Sequence, residues 1–274
     1  MTGRVERLAI VGLGLLGGSV ALAARNRGVA AEIVGSGRSR ESVAAARASG
    51  AFDAVLDLGD AVRGAGLVVL AAPVSAMDAV LRHTAPDLAG GALVTDVGSV
   101  KAALTETLPG LLPHGVHYVG AHPMAGSHER GMRHARADLF EGAVCIVTPT
   151  PSSAPAAVLR AEAFWEALGC RVLRRSPAEP DAAVGWVSHV PHALAFAFAA
   201  ALEEAPPGAT ALAGPGFRDF TRIARSDAEL WSEILTANRK GLAAPLQAFS
   251  TRLTPLAGAP DAGEHDALPR LPAP

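Results

Sequence analysis

The sequence predicts an α/β fold: an N-terminal Rossmann-type, doubly wound parallel sheet over residues 1–177, an all-α domain over 178–257, and a disordered tail over 258–274. Three observations predict it. The apolar run Leu8 to Val11 leads into Gly12-Leu13-Gly14-Leu15-Leu16-Gly17-Gly18, which reads as a strand, a tight turn and a helix start. Short β-rich runs then alternate with amphipathic helical stretches, the rhythm of a parallel sheet covered on both faces. From Ser176 onward strand signals disappear and helical periodicity dominates, until the Pro-, Gly-, Ala- and Asp-rich stretch from Gly258.

Taken in order, the glycine turn needs Gly12 for its backbone angles, Gly14 to let a pyrophosphate approach the main chain, and Gly17 for close packing of helix on strand. The helix beginning at Leu15 and Leu16 turns its free N–H groups and positive dipole end toward the phosphates. The second strand is Glu32 to Ser36, and the position about twenty residues past the turn, where a carboxylate would receive the ribose 2′-OH of NAD, is Gly37. Arg38-Ser39-Arg40 follows, with no acid before Glu41. Arginines and a serine offer donors to a 2′-phosphate, so the sequence leans to NADP, with NAD possible. The competing reading makes Arg38 and Arg40 solvated first-turn residues of the next helix.

Further strands are expected at Ala54–Leu56, Leu67–Ala71, Leu93–Thr95 and Val116–Gly120, with helices around 42–49 and 76–85. Ligands of such sheets lie outside the carboxyl ends of the strands. There the chain places Ala72-Pro73-Val74, where Pro73 can lie against a nicotinamide or simply end the strand. Next come Asp96-Val97-Gly98-Ser99-Val100-Lys101 and, after the sixth strand, Ala121-His122-Pro123-Met124. A serine hydroxyl and an imidazole are thus expected on neighbouring loops. Val144–Val147 is a further strand and Arg171–Leu173 the last of the sheet; helices follow at 181–204, 218–224 and 229–251.

Bulk properties narrow the function classes. A net charge of −2 over 274 residues gives no push toward nucleic acid, an anionic membrane or an acidic partner, so a small-molecule substrate is expected. Cys145 and Cys170 lack metal or redox spacing and read as buried thiols; none of the nine histidines has metal-ligand spacing, so no metal is expected. No secretory signal is visible, and the longest apolar run, Ala193–Leu202, is too short to span a bilayer, so a cytoplasmic location is expected.

Behind the glycine turn stand, in order, Asp96 to Lys101, Gly120-Ala121-His122-Pro123-Met124-Ala125-Gly126, Ser188-His189-Val190-Pro191-His192 and Gly216-Phe217-Arg218-Asp219-Phe220-Thr221-Arg222. On these motifs the chain resembles, over about residues 7–250, the prephenate/arogenate dehydrogenases of tyrosine biosynthesis. The resemblance implies a helical domain that forms a homodimer, and oxidative decarboxylation of a cyclohexadienol to a phenol with hydride transfer to NAD(P). Hydride leaving a carbinol carbon requires the hydroxyl proton to leave as well, so a base within hydrogen-bond reach is needed, and histidine suits neutral pH. By resemblance His122 is that base, Ser99 shares the substrate hydroxyl, Arg222 anchors a carboxylate and His192 binds substrate.

His189 reads mainly as a packed core residue, Trp231 as either pocket or core, and Lys101 as a cofactor or substrate contact or a solvated helix start. The family's His-Asp pair is here Pro180-Asp181, so that position's role does not carry over, and His128 is an extra imidazole. Two alternatives stand beside this reading. A β-hydroxyacid dehydrogenase would use a lysine in the helical domain, where only Lys240 stands. A non-catalytic nucleotide sensor would have no need of Ser99, His122 and Arg222 together.

Overall fold

The structure, a computed structural model, describes residues 4–126 and 129–257. The expected tail 258–274 and His128 lie outside the described residues. The first half alternates β1 (Val5–Val11), α1 (Leu15–Asn26), β2 (Ala30–Ser36), α2 (Arg40–Ala48), β3 (Ala54–Val55), α3 (Leu58–Val62), β4 (Leu67–Leu70), α4 (Val74–Thr84), β5 (Leu93–Asp96), α5 (Ala102–Thr107) and β6 (His117–Tyr118). These six strands form one parallel sheet in the order β3-β2-β1-β4-β5-β6, the doubly wound order of a Rossmann domain.

Burial explains the apolar character of Leu8–Val11 and of β4: every residue of these stretches is buried, as is every residue of β5, Leu93–Asp96. Alternate residues serve opposite faces. Leu8, Ile10 and Val69 pack with Ala21 and Ala24 of α1 on one side, while Ala9, Val11, Val68 and Leu70 pack with Met77 and Leu81 of α4 on the other. In register, Val11 stands opposite Ser36 on one neighbour and Leu70 on the other, so the carboxyl ends of the three central strands finish level. The glycine turn sits on that edge.

The predicted sixth strand, Val116–Gly120, is corrected. The chain breaks at Val119, and β7 (Gly120–Pro123) joins a separate three-stranded sheet with β8 (Val144–Thr148) and β9 (Arg171–Arg174). β7 runs antiparallel to β8, and β8 parallel to β9, after α6 (Pro155–Ala167). His122 therefore sits on a strand, paired in register with Ile146, rather than on a loop. Arg171–Leu173, expected as the last strand of the main sheet, belongs to this second sheet for the same reason. Cys145 and Cys170 are buried free thiols within the core beside it.

The remaining helices are α7 (Ala178–Val184), α8 (Val190–Ala201), α9 (Pro215–Arg222), α10 (Ala228–Ala237) and α11 (Arg239–Ala257). Contacts divide the chain into one unit of residues 1–181 with 225–237, and a second of 182–224 with 238–274. By contacts α10 groups with the first unit, where it packs against α4. The apolar run also extends beyond Ala193–Leu202. A π-helical turn, Gly185–His189, joins α7 to α8, and the helix Ala178–Glu204 is 27 residues, long and apolar enough to cross a membrane by length and composition. Pro191 does not end it: the proline falls directly after the π-helical turn, where the main-chain hydrogen-bond register already changes.

Candidate active site

A cavity of about 580 Å³ opens in the first unit beside the glycine turn. Gly14, Leu15 and Leu16 form one wall, Pro73 and Val74 another, and Val97, Gly98 and Ser99 a third. The turn is shaped by backbone rather than side chains. Gly12 has φ of +110°, a conformation that L side chains rarely adopt. A Cβ on Gly17 would fall on the carbonyl oxygen of Gly12, so α1 leaves the turn at a closeness only glycine permits. Gly14 is different, since a Cβ there would meet nothing within 4 Å: its missing side chain leaves open space at the N-terminus of α1. Among the described residues no side chain caps that helix and no acid occupies its first turn, so its N–H groups suit an anion such as a dinucleotide pyrophosphate.

The three residues after Gly37 separate. Arg38 lines the cavity, whereas Ser39 and Arg40 do not. Ser39 is the N-cap of α2: its hydroxyl oxygen accepts the Ser42 N–H at 3.1 Å, and its proton goes to the Ser42 hydroxyl. Arg38 and Arg40 are exposed and make no ion pair with a described residue.

Ser99 and His122 are carried by segments tied to one buried carboxylate. Asp96 ends β5, fully buried, with Oδ2 accepting the Gly98 N–H at 2.8 Å and Oδ1 accepting both the Tyr118 hydroxyl at 2.8 Å and the Ala121 N–H at 3.2 Å. Gly98 precedes Ser99 and Ala121 precedes His122. Lys101 completes the arrangement, pairing its ammonium with Asp96 Oδ2 and donating to the Ala121 carbonyl at 2.8 Å. The expectation that Lys101 meets ligand or solvent is corrected: it is fully buried, because a carboxylate left alone in this core would be costly. Burial first, and the Asp96 charge second, push the Tyr118 phenol well above its ordinary range, so it remains a donor. His122 is buried on β7 and is not among the residues lining the cavity, while Ser99 is.

The fourth wall carries one sequence signal, Trp231. Ser226, Asp227, Glu229, Leu230 and Trp231 come from the start of α10 and the turn before it. Arg130 pairs with Asp227, and Glu233 accepts the Ser75 hydroxyl at 2.8 Å, tying this segment to the loop after β7 and to α4. Trp231, left between pocket and core by the sequence, lies on the cavity wall.

In the second unit the two motif histidines differ. The Asn238 amide donates to His189 Nδ1 at 2.8 Å, which places the ring proton on Nε2. Burial, and then the neighbouring His192, push His189 from 6.5 down to about 4, so its folded form is neutral. His192 donates from Nδ1 to the Ser188 carbonyl at 2.9 Å, leaving Nε2 as an acceptor. Burial chiefly, and the Arg222 charge after it, hold His192 below its ordinary value against the Ser188 bond. Arg222 ends α9, exposed. Because folding lowers the affinity of His189 for a proton, its contribution to stability is complete above about pH 6.5 and is lost as pH falls toward 4. Urea titrations across that window are expected to show a falling midpoint that flattens in His189→Gln; an identical slope in the variant would remove His189 as the cause.

Comparison with known proteins gives a consistent picture. Residues 20–174 match the family described as prephenate dehydrogenase, nucleotide-binding domain, and residues 176–271 its dimerization domain. A prephenate dehydrogenase of Bacillus subtilis is 34% identical over 239 residues, which cover 85% of this chain and 64% of the relative, so the chain spans just under two thirds of that protein. The crystal structure of the Aquifex aeolicus prephenate dehydrogenase with hydroxyphenyl propionate and NAD+ aligns with a TM-score of 0.86 at 32% identity, over 92% of this chain and 90% of that one. The Synechocystis arogenate dehydrogenase structure aligns with a TM-score of 0.77 at 31% identity, over 92% and 91% of the two chains.

Proposed function

The chain belongs to the prephenate dehydrogenase family, and from that premise we propose that it oxidatively decarboxylates prephenate or arogenate to 4-hydroxyphenylpyruvate or tyrosine. The observation that carries the reading is the pair of segments bearing Ser99 and His122, both bonded to Asp96 at the edge of a cavity walled by the glycine turn. The Aquifex structure, with NAD+ and a phenolic acid bound, supports the same pairing of cofactor and ring.

Gly14, Leu15 and Leu16 would hold the pyrophosphate, and Pro73 would lie against the nicotinamide, which when bound supplies the hydride acceptor. His122 takes the proton of the substrate hydroxyl as hydride leaves the carbinol carbon, and Ser99 shares that hydroxyl and fixes its direction. Loss of CO₂ then creates an aromatic ring, which makes the reaction irreversible. In the second unit, Arg222 is the proposed grip on a substrate carboxylate, through two hydrogen bonds, and His192 a proposed substrate-binding residue. The apolar helix 178–204, of which 28% of the most apolar window is buried, is read as a subunit interface rather than a membrane span, consistent with the dimerization-domain match. A soluble, cytoplasmic homodimer is the expected assembly.

NADP is favoured over NAD because Gly37 offers no carboxylate and Arg38 stands on the cavity wall. The test is to follow reduced nicotinamide with prephenate and with arogenate, each with NAD and with NADP. Turnover is expected with at least one substrate, and absence of turnover in all four pairings would sink the assignment. Arg38→Ala is expected to raise the KM for NADP about tenfold or more and to leave that for NAD near its starting value. Equal effects on both cofactors would tell against the 2′-phosphate contact.

A further inference from the structure

The position left without a role by the sequence is Asp181, which the structure buries near the C-terminal boundary of the first unit. Its two carboxylate oxygens accept the main-chain N–H groups of Lys101, at 2.7 Å, and Ala102, at 2.8 Å. Those are the opening N–H groups of α5, and Lys101 occupies its N-cap position without making a side-chain cap. Ser, Thr, Asp or Asn ordinarily fills such a position and caps the N2 or N3 N–H locally, whereas the two donors held here are those of the cap residue itself and of N1. Here the cap residue must be a lysine, because its side chain runs inward to Asp96. The acceptors for these two opening N–H groups come from about 80 residues downstream.

The turn Gly98-Ser99-Val100 thus hangs between two buried carboxylates, Asp96 holding the Gly98 N–H on one side and Asp181 holding the Lys101 and Ala102 N–H groups on the other. Val100 is fully buried, whereas Ser99 is partly exposed on the cavity wall. We propose that Asp181 is a positioning residue for Ser99: by capping α5 from outside, it sets the direction in which the Ser99 hydroxyl enters the cavity. This rests on the reading of Ser99 as the partner of the substrate hydroxyl.

A double-mutant cycle on the full-length enzyme tests it, with kcat and both KM values measured for the wild type, Ser99→Ala, Asp181→Asn and the double variant. Asn keeps one acceptor oxygen but turns its NH₂ against the second main-chain donor. Asp181→Asn is expected to lower kcat on the order of tenfold while the KM for the dinucleotide stays within about twofold. In the Ser99→Ala background the same substitution is expected to cost less than about twofold, because the group it positions is gone. Equal losses in both backgrounds, or full kcat in Asp181→Asn, would overturn the positioning role while leaving Ser99 in place. A Ser99→Ala enzyme with normal kcat would instead overturn the reading of Ser99, and this proposal with it. If Asp181→Asn does not fold, Asp181→Glu enters the same cycle, keeping the charge and displacing the cap by one methylene.

Discussion

Lys101→Met is expected to lower the unfolding free energy by about 3–5 kcal/mol. The reason is geometric. Methionine replaces the stem of the lysine at similar volume but removes the ammonium from Asp96, and Asp96 is fully buried. The carboxylate retains the Tyr118 hydroxyl and two main-chain N–H groups, which soften the loss without supplying a charge. The Ala121 carbonyl also loses its donor. The companion Asp96→Asn/Lys101→Met should recover part of the loss, because a neutral amide leaves no uncompensated charge although its NH₂ must face the Gly98 N–H. Urea unfolding of the two variants decides it. A Lys101→Met variant as stable as the wild type, or a double variant no more stable than Lys101→Met, would refute the pair as the anchor of these segments.

His122→Asn is expected to reduce kcat by about 10² or more while the KM for the dinucleotide changes little. Asn is close to the size of the imidazole and keeps polar atoms on β7, but it cannot accept a proton near neutral pH. His122 does not line the cavity beside the glycine turn, so the binding of the dinucleotide has no reason to suffer. The acidic limb that a histidine base gives the kcat/KM profile should vanish with it. Near-normal kcat in His122→Asn would remove this residue from proton transfer and return the role to another group.

Much of this architecture is visible in the chain before it folds, for identifiable reasons. Strand β4 and the Leu8–Val11 half of β1 are legible because both of their faces are covered, which favours apolar runs. The glycine turn is legible because Gly12 and Gly17 answer to backbone geometry that no other residue satisfies. The break between β6 and β7 is not, since Val116–Gly120 is apolar and β-rich whichever sheet receives it, and pairing with β8 depends on residues 144–148. Lys101 is opaque for a similar reason: a lysine before a helix is usually solvated, and only the converging Asp96 and Ala121 carbonyl draw it into the core. The wall supplied by α10 leaves no mark on the sequence around the glycine turn, more than 200 residues earlier.

What the sequence by itself determined is local: where strands and helices lie, where the dinucleotide turn must sit, and which motifs mark a dehydrogenase. These follow from periodicity, from glycine's missing Cβ and from the donors and acceptors that each chemistry requires within a few residues of one another. What only the tertiary structure decided is which distant groups complete those pieces: Asp181 on α5, Asp96 between Ser99 and His122, and α10 on the cavity wall. The physical reason is that a buried donor, acceptor or charge must find a partner, but the partner is specified by position in space, and the chain can supply it from any distance along its length.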